Sequence, residues 1–241
     1  SVVEVVSVCK KHNTFLTLRG SGTGNYGQCV PLRGGVVMLM GEFKNIRDID
    51  PLTGVVTVEP GCLIRDVNKQ LVKNGRQLRL LPSTWRSASI GGFIAGGSGG
   101  IGSVRWGFLR DPGNLLGLEI VTLEDVPRKL ELDANEAEAL NHAYGTNGII
   151  TALKLATAPS ISWQEITIDF QNFSDSVRCF QRISTSAIDL FLCSLMERPI
   201  VNNLPNWNNQ AKGCHRLLIL ASPDGVCTIE RLATLFGGIF T

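Results

Sequence analysis

The sequence predicts an α+β fold in two parts, and three observations carry that prediction. A strand-like run at residues 14–19 leads into RGSGTGNYG, residues 19–27, and the next apolar run, 36–40, is again strand-like rather than helical. Strand and helix periods then alternate as far as Ala158, Pro159 and Ser160, which break the pattern and mark a domain boundary. Beyond it the periods read strand, helix, strand, strand, helix, the opening of a split β-α-β sandwich whose last strand would lie past Thr241.

The elements follow in order. Val2, Val5, Val6 and Cys9 make one apolar stripe of a helix ending near Lys10, Lys11 and His12, which delivers the chain into the first strand. After the glycine-rich stretch come a strand at 35–40, a short turn at 45–49 leading onto another, and a strand at 55–59 entered through a tight turn at 51–54. Leu63, Ile64, Val67, Leu71 and Val72 repeat at helical spacing and Gly75 supplies a C′ glycine, so 63–74 is a helix. Residues 81–103, dense in Gly and Ser but anchored by Ile90, Phe93 and Ile94, read as a packed loop. Strands follow at 116–123 and 129–132. Asp133 with Glu136 forms a capping box for a helix running through Leu140 to Tyr144 and stopped by Gly145, and a strand occupies 149–156. In the second part, alternation at Ile166, Ile168 and Phe170 marks a strand, and Phe173, Val177, Phe180 and Ile183 stripe a helix entered at Ser174. Strands at 189–197 and 216–221 flank a polar loop at 202–213, and Val226, Ile229, Leu232 and Phe236 stripe a final helix.

Composition narrows the function. The 241 residues suffice for one large domain or two modest ones, each with its own core. With 44% apolar residues, 18% charged and 26 glycines, the chain reads as globular and soluble with many special backbone positions. A net charge of +2 from scattered Lys and Arg gives nucleic acid or an acidic membrane no footing. The seven cysteines are odd in number and without close pairs, which indicates a reducing, cytoplasmic compartment. Neither C-x-x-C nor H-x-x-x-H occurs and His12, His142 and His215 are isolated, so no metal site is expected. No apolar run approaches the roughly 20 residues that span a bilayer. No signal peptide is visible, although the chain opens at Ser1 rather than Met.

RGSGTGNYG holds four glycines in nine residues, which lets successive backbone N–H groups turn toward one anion. Arg19 adds a permanent charge, and Ser21 and Thr23 add hydroxyl donors suited to a pyrophosphate. On these residues alone the stretch reads either as a phosphate cradle or as a flexible glycine turn. Gly22, Gly24 and Gly27 fit the G-x-G-x-x-G fingerprint, but Pro31, Gly34 and Gly35 follow where a Rossmann helix must begin. A Walker string is absent from the sequence.

Four stretches in order, RGSGTGNYG, GVVTVEPGCLIRDVNKQL, SASIGGFIAGGSGGIGSVRWG and YGTNGIITALKL, resemble the FAD-binding domain of the vanillyl-alcohol oxidase and p-cresol methylhydroxylase superfamily. Within it the likeness is to the glycolate and D-lactate dehydrogenase-like FAD-linked oxidases. The resemblance implies a two-subdomain FAD-binding domain over residues 1–158, lacking an N-terminal strand, followed by part of a substrate cap domain over 159–241, so that the chain looks truncated at both ends. It implies that Arg19, Gly20, Ser21, Gly22, Thr23, Gly24 and Asn25 meet the FAD pyrophosphate. Pro82, Ser83 and Thr84, with Ser87, Ala88, Ser89, Gly91 and Gly92, form the loop closing over the phosphates and ribityl chain. Gly148, Ile149 and Ile150 meet the flavin end through backbone groups. No His follows the first glycines where covalently tethered members carry one, so FAD is expected to be noncovalent; Cys29 is the nearest alternative attachment.

The function this implies is an oxidoreductase that oxidises a small hydroxy acid or alcohol by hydride transfer to FAD, with a separate electron acceptor and with self-association through the cap. Trp85, Arg86, Arg105, Trp106 and Arg110 flank the second glycine region, either facing the flavin and clamping a carboxylate or serving as packed and ion-paired loop residues. Two other readings stand beside it: an FAD-binding module without activity, and a Rossmann NAD enzyme, which the missing helix after Gly27 disfavours.

Overall fold

The computed structural model describes residues 1–97, 99–204 and 213–241, and they form two compact units. The first comprises 1–100 and 106–160, the second 101–105 and 161–241.

In the first unit, helix α1 (Val2–Lys11) opens on a capping box in which Ser1 and Glu4 satisfy each other's backbone N–H groups. It leads to β1 (Leu16–Arg19), which pairs in parallel with β2 (Val36–Leu39) across the glycine-rich loop. The main sheet is antiparallel, in the order β3 (Ile46–Ile49), β4 (Val55–Val58), β8 (Ile149–Pro159), β6 (Leu115–Val121), β7 (Lys129–Asp133), with β5 (Arg76–Leu78) added on β8. Helix α2 (Ile64–Lys73) buries Ile64, Val67 and Leu71 of the five apolar positions its spacing marked, while Leu63 is its N-cap and Val72 is exposed. A small core of Val2, Val6, Met40, Val121 and Ile149, flanked by Leu16 and Leu18, fastens α1 and β1 to the ends of β6 and β8.

Three expectations for this unit need correction. Residues 81–103 are not all loop. They carry α3 (Ile90–Gly96), whose Ile90, Phe93 and Ile94 are buried at i, i+3 and i+4, and the start of the single-turn α4 (Ser103–Trp106). The Asp133 capping box is present, but its helix α5 (Ala134–Ala137) lasts one turn and does not reach Tyr144. Left-handed backbone at His142 and Tyr144, φ 63° and 53°, is incompatible with helix there. Strand β8 runs on to Pro159 because β5 pairs with its last three residues.

The second unit is an antiparallel sheet in the order β10 (Leu190–Met196), β11 (His215–Ala221), β9 (Gln164–Phe170), β12 (Ile239–Phe240). Helices α6 (Phe173–Ser184) and α8 (Val226–Leu235) cover one face, over Ile166, Ile168, Phe170, Leu217 and Ile219. The closing strand of the split β-α-β order therefore lies within the chain, on the free edge of β9, rather than past Thr241. Part of the expected polar loop at 202–213 belongs to α7 (Arg198–Asn203), which Pro199 helps to start. Residues 205–212 of that loop lie outside those described. On the sheet face opposite the helices, Arg216 holds Asp169 through two bonds of 2.6 Å.

Candidate functional site

Strand β1 ends at Arg19, and the chain turns through an exposed loop in which Gly22 and Gly27 take φ values of +69° and +75°. Such values are open to glycine and strained for other residues. The Arg19 guanidinium folds back over this loop, its Nη2 2.9 Å from where a Gly22 Cβ would stand. Among the described residues no carboxylate pairs with Arg19, so the charge is available at the mouth of the loop.

The second glycine region meets the first. The carbonyls of Trp85 and Ala88 accept the N–H groups of Arg65 and Ile64, so the 82–88 turn caps the start of α2, where Leu63 has no side chain able to do so. Ile90 and Gly91 donate to the carbonyls of Cys62 and Pro60, and a Cβ on Gly91 would run into Pro60. This fixes the start of α3 against residues 60–62. The Ser21 N–H donates to Ser89 Oγ at 3.3 Å, and Gly20 lies so close to that oxygen that a side chain there would overlap it. At the other end of α3, His142 and Tyr144 donate backbone N–H groups to the carbonyls of Ile94 and Ala95, while Gly145 approaches Leu18 of β1.

The structure thus brings together residues 19–25 and 82–92, and they divide by exposure. Arg19, Ser21, Gly22, Thr23, Gly24 and Asn25, with Ser83, Thr84, Ser87 and Gly92, present donors and glycine backbone at the surface. Pro82, Ala88, Ser89 and Gly91 are buried by protein and shape the loop from beneath. Gly148, Ile149 and Ile150 are buried too, the two isoleucines paired with Val121 and Ile120 of β6, and Gly148 packed against Leu140 and Ile120. Of the flanking candidates, Arg105 pairs with Asp189 at 2.9 Å, Arg110 with Glu138 at 2.6 Å, and Arg86 stacks on the neighbouring Trp85. These arginines are held by protein groups, the less specific of the two readings.

Sequence reasoning missed two features. Ser89 as a link between the loops has no local signature, since its partner is 68 residues away. The second was visible in the letters: no Asp or Glu occurs between Glu4 and Glu42, and none between Asp66 and Asp111. Both glycine loops are free of acids, which favours a bound anion. The residues fit a dinucleotide pyrophosphate: a side chain at Gly20 would overlap Ser89 Oγ, one at Gly22 would press on the Arg19 guanidinium, and the exposed groups are an arginine, hydroxyls and glycine backbone.

Comparison with known proteins agrees. Residues 1–125 match the family described as FAD binding domain. The chain is 27% identical over 186 residues to a probable mitochondrial D-2-hydroxyglutarate dehydrogenase of Oryza sativa subsp. indica, covering 74% of this chain and 32% of that protein. It is 32% identical over 133 residues to glycolate oxidase subunit GlcD of Escherichia coli K12, covering 55% and 26%. To the D-lactate dehydrogenase of Anaerostipes hadrus it is 26% identical, covering 83% and 43%. The chain therefore spans less than half the length of these relatives. Among solved structures, alkyldihydroxyacetonephosphate synthase superposes with a TM-score of 0.84 at 19% identity, over 99% of this chain and 52% of that one, which establishes a shared fold. Fold, acid-free glycine loops and family match converge, and the chain belongs to the FAD-binding-domain family of FAD-linked oxidases.

Proposed function

We infer that this protein is an FAD-dependent oxidoreductase that oxidises a small hydroxy acid or alcohol and holds its FAD noncovalently. The observation that carries the reading is the assembled pair of glycine loops with Arg19 at the mouth, ion-paired to no carboxylate among the described residues. When bound, FAD supplies the redox chemistry, accepting a hydride from the carbon that bears the hydroxyl. The chain's part is to bind and orient. Arg19 and the backbone N–H groups of residues 22–25 would hold the pyrophosphate, and Ser83, Thr84 and Ser87 would offer hydroxyls along the extended cofactor. Buried Gly148, Ile149 and Ile150 wall the flavin end with backbone set by the sheet. The second unit serves as a substrate cap, and its exposed Leu235 and Ile239 support self-association.

Hydroxy-acid substrates are supported by the names of the relatives, and noncovalent attachment by the lack of His in residues 19–27. No described helix is long and apolar enough to cross a membrane. Seven free thiols support a reducing, cytoplasmic setting. A second reading, an FAD-binding module without catalysis, is favoured by one observation: Arg105 and Arg110, the carboxylate-clamp candidates, already hold Asp189 and Glu138.

Anaerobic addition of D-lactate, glycolate or D-2-hydroxyglutarate to the purified yellow protein tests the proposal. Bleaching of the flavin absorbance by one of them supports the oxidoreductase. A flavin that stays oxidised with all three favours the module. Acid denaturation should release the flavin to the supernatant; flavin fluorescence that stays with the protein on a denaturing gel refutes noncovalent binding and turns suspicion to Cys29.

A further inference from the structure

We propose that Ser89 is a positioning residue whose hydroxyl locks the first glycine loop onto the start of α3, so that the cradle stands assembled before any cofactor enters. The inference rests on the reading of these loops as the cofactor site. Ser89 occupies the N-cap of α3 with extended backbone, φ −84° and ψ 145°, a position where serine ordinarily accepts an N–H of its own helix. Its side chain makes no such bond. The oxygen instead accepts the Ser21 N–H at 3.3 Å, from a residue only 3% exposed.

Three backbones converge on that hydroxyl. A Cβ on Gly20 would overlap the oxygen, and one on Gly92 would stand 3.0 Å from it. With Ser89 in place, position 20 therefore fits only glycine, and the two residues should behave as one energetic unit. The physical gain is order. A loop with glycines at 20, 22 and 24 is among the most mobile a chain can have, and each residue ordered during binding weakens affinity. A part-buried bond that fixes the Ser21 amide settles that cost during folding.

The test compares wild type, Ser89→Ala, Gly20→Ala and the double variant in protein stripped of flavin. Amide exchange of residues 19–27 is measured first, then FAD affinity by quenching of flavin fluorescence. Ser89→Ala should speed exchange at Ser21 and its neighbours while leaving the sheet amides unchanged, and should weaken FAD binding on the order of fivefold. Gly20→Ala should be worse, and adding Ser89→Ala to it should restore part of the loss, because removing the oxygen makes room for the new methyl. Unchanged exchange at Ser21 in Ser89→Ala overturns the proposal, as do losses that simply add in the double variant. If Gly20→Ala does not fold, the Ser89→Ala exchange result decides alone. Exchange is read without FAD, so a wild type that orders this loop yet binds no FAD would contradict the cofactor reading and leave the lock intact.

Discussion

At the scale of single residues the site depends on what is absent as much as on what is present. Gly22 has a left-handed φ of +69° and the Arg19 guanidinium packed over it, so Gly22→Val adds strain and displaces the charge together. We expect this variant to purify with little or no flavin. Arg19→Ala removes one charge-assisted contact and leaves the loop amides in place, so FAD should bind about tenfold to a hundredfold more weakly. Flavin absorbance per protein, followed by a binding titration, gives the order; equal flavin content in both variants and wild type would show the loop to be elsewhere than the phosphates. The exposed glycine loop with Arg19 beside it was legible in the letters because glycine spacing and arginine chemistry are local. The Ser21 to Ser89 contact was not, because no local rule reports which distant hydroxyl a backbone N–H meets.

At the scale of elements, one ion network ties the sheet together across its strands. Arg47 on β3 reaches Glu59 and Glu119, Lys129 on β7 reaches Glu119 at 2.6 Å, and Thr151 on β8 donates its hydroxyl to the same carboxylate. Burial opposes the charged form of Glu119, but bonds from Lys129, Thr151 and Arg47 outweigh it and hold the carboxyl below its ordinary value of 4.5. A depressed carboxyl contributes stability above its ordinary value, and that contribution is lost as pH falls through the lower folded value. Glu119→Gln should therefore cost about 2 kcal/mol at neutral pH, with the gap to wild type shrinking below pH 4.5 in urea titrations. A gap that stays constant across that range would contradict the network. Strands β4, β6, β7 and β8 and helix α2 were legible because each carries its own period, whereas 46–49 was read as a turn and the three-residue β5 has too short a period to read. Helix α3 was not read, because Gly91, Gly92 and Gly96 each disfavour helix by about 1 kcal/mol while burial of Ile90, Phe93 and Ile94 overrides them. The spacing of those three residues was the available signal. Strand β12 is two residues long and has no period to read.

At the scale of the whole molecule the thiols report on packing in both units. Cys9, Cys62, Cys179 and Cys214 are buried, Cys29 and Cys193 half-buried, and Cys227 exposed. Burial pushes the Cys179 thiol up to about 11 and the Cys193 thiol up to about 12. Thiolate is the reactive form, so a thiol reagent at neutral pH should label Cys227 quickly and Cys29 more slowly, and should reach the others only on unfolding. Rapid labelling of Cys179 or Cys193 in native protein would contradict the packing of the second unit. The order of the second unit's strands and helices was legible before the structure, since strand, helix, strand, strand, helix admits few arrangements. Its inclusion of residues 101–105 was not, because that segment packs with chain far away in sequence.

The central claim is that residues 19–25 and 82–92 together hold the pyrophosphate of FAD. Amide exchange of the whole chain with and without FAD tests it most directly, because it reports where the cofactor lies whatever the substrate proves to be. Slowed exchange on FAD addition concentrated in those two stretches is the predicted result, with the sheet of the second unit unchanged. Tight FAD binding with protection elsewhere, and none at either glycine loop, would contradict the account.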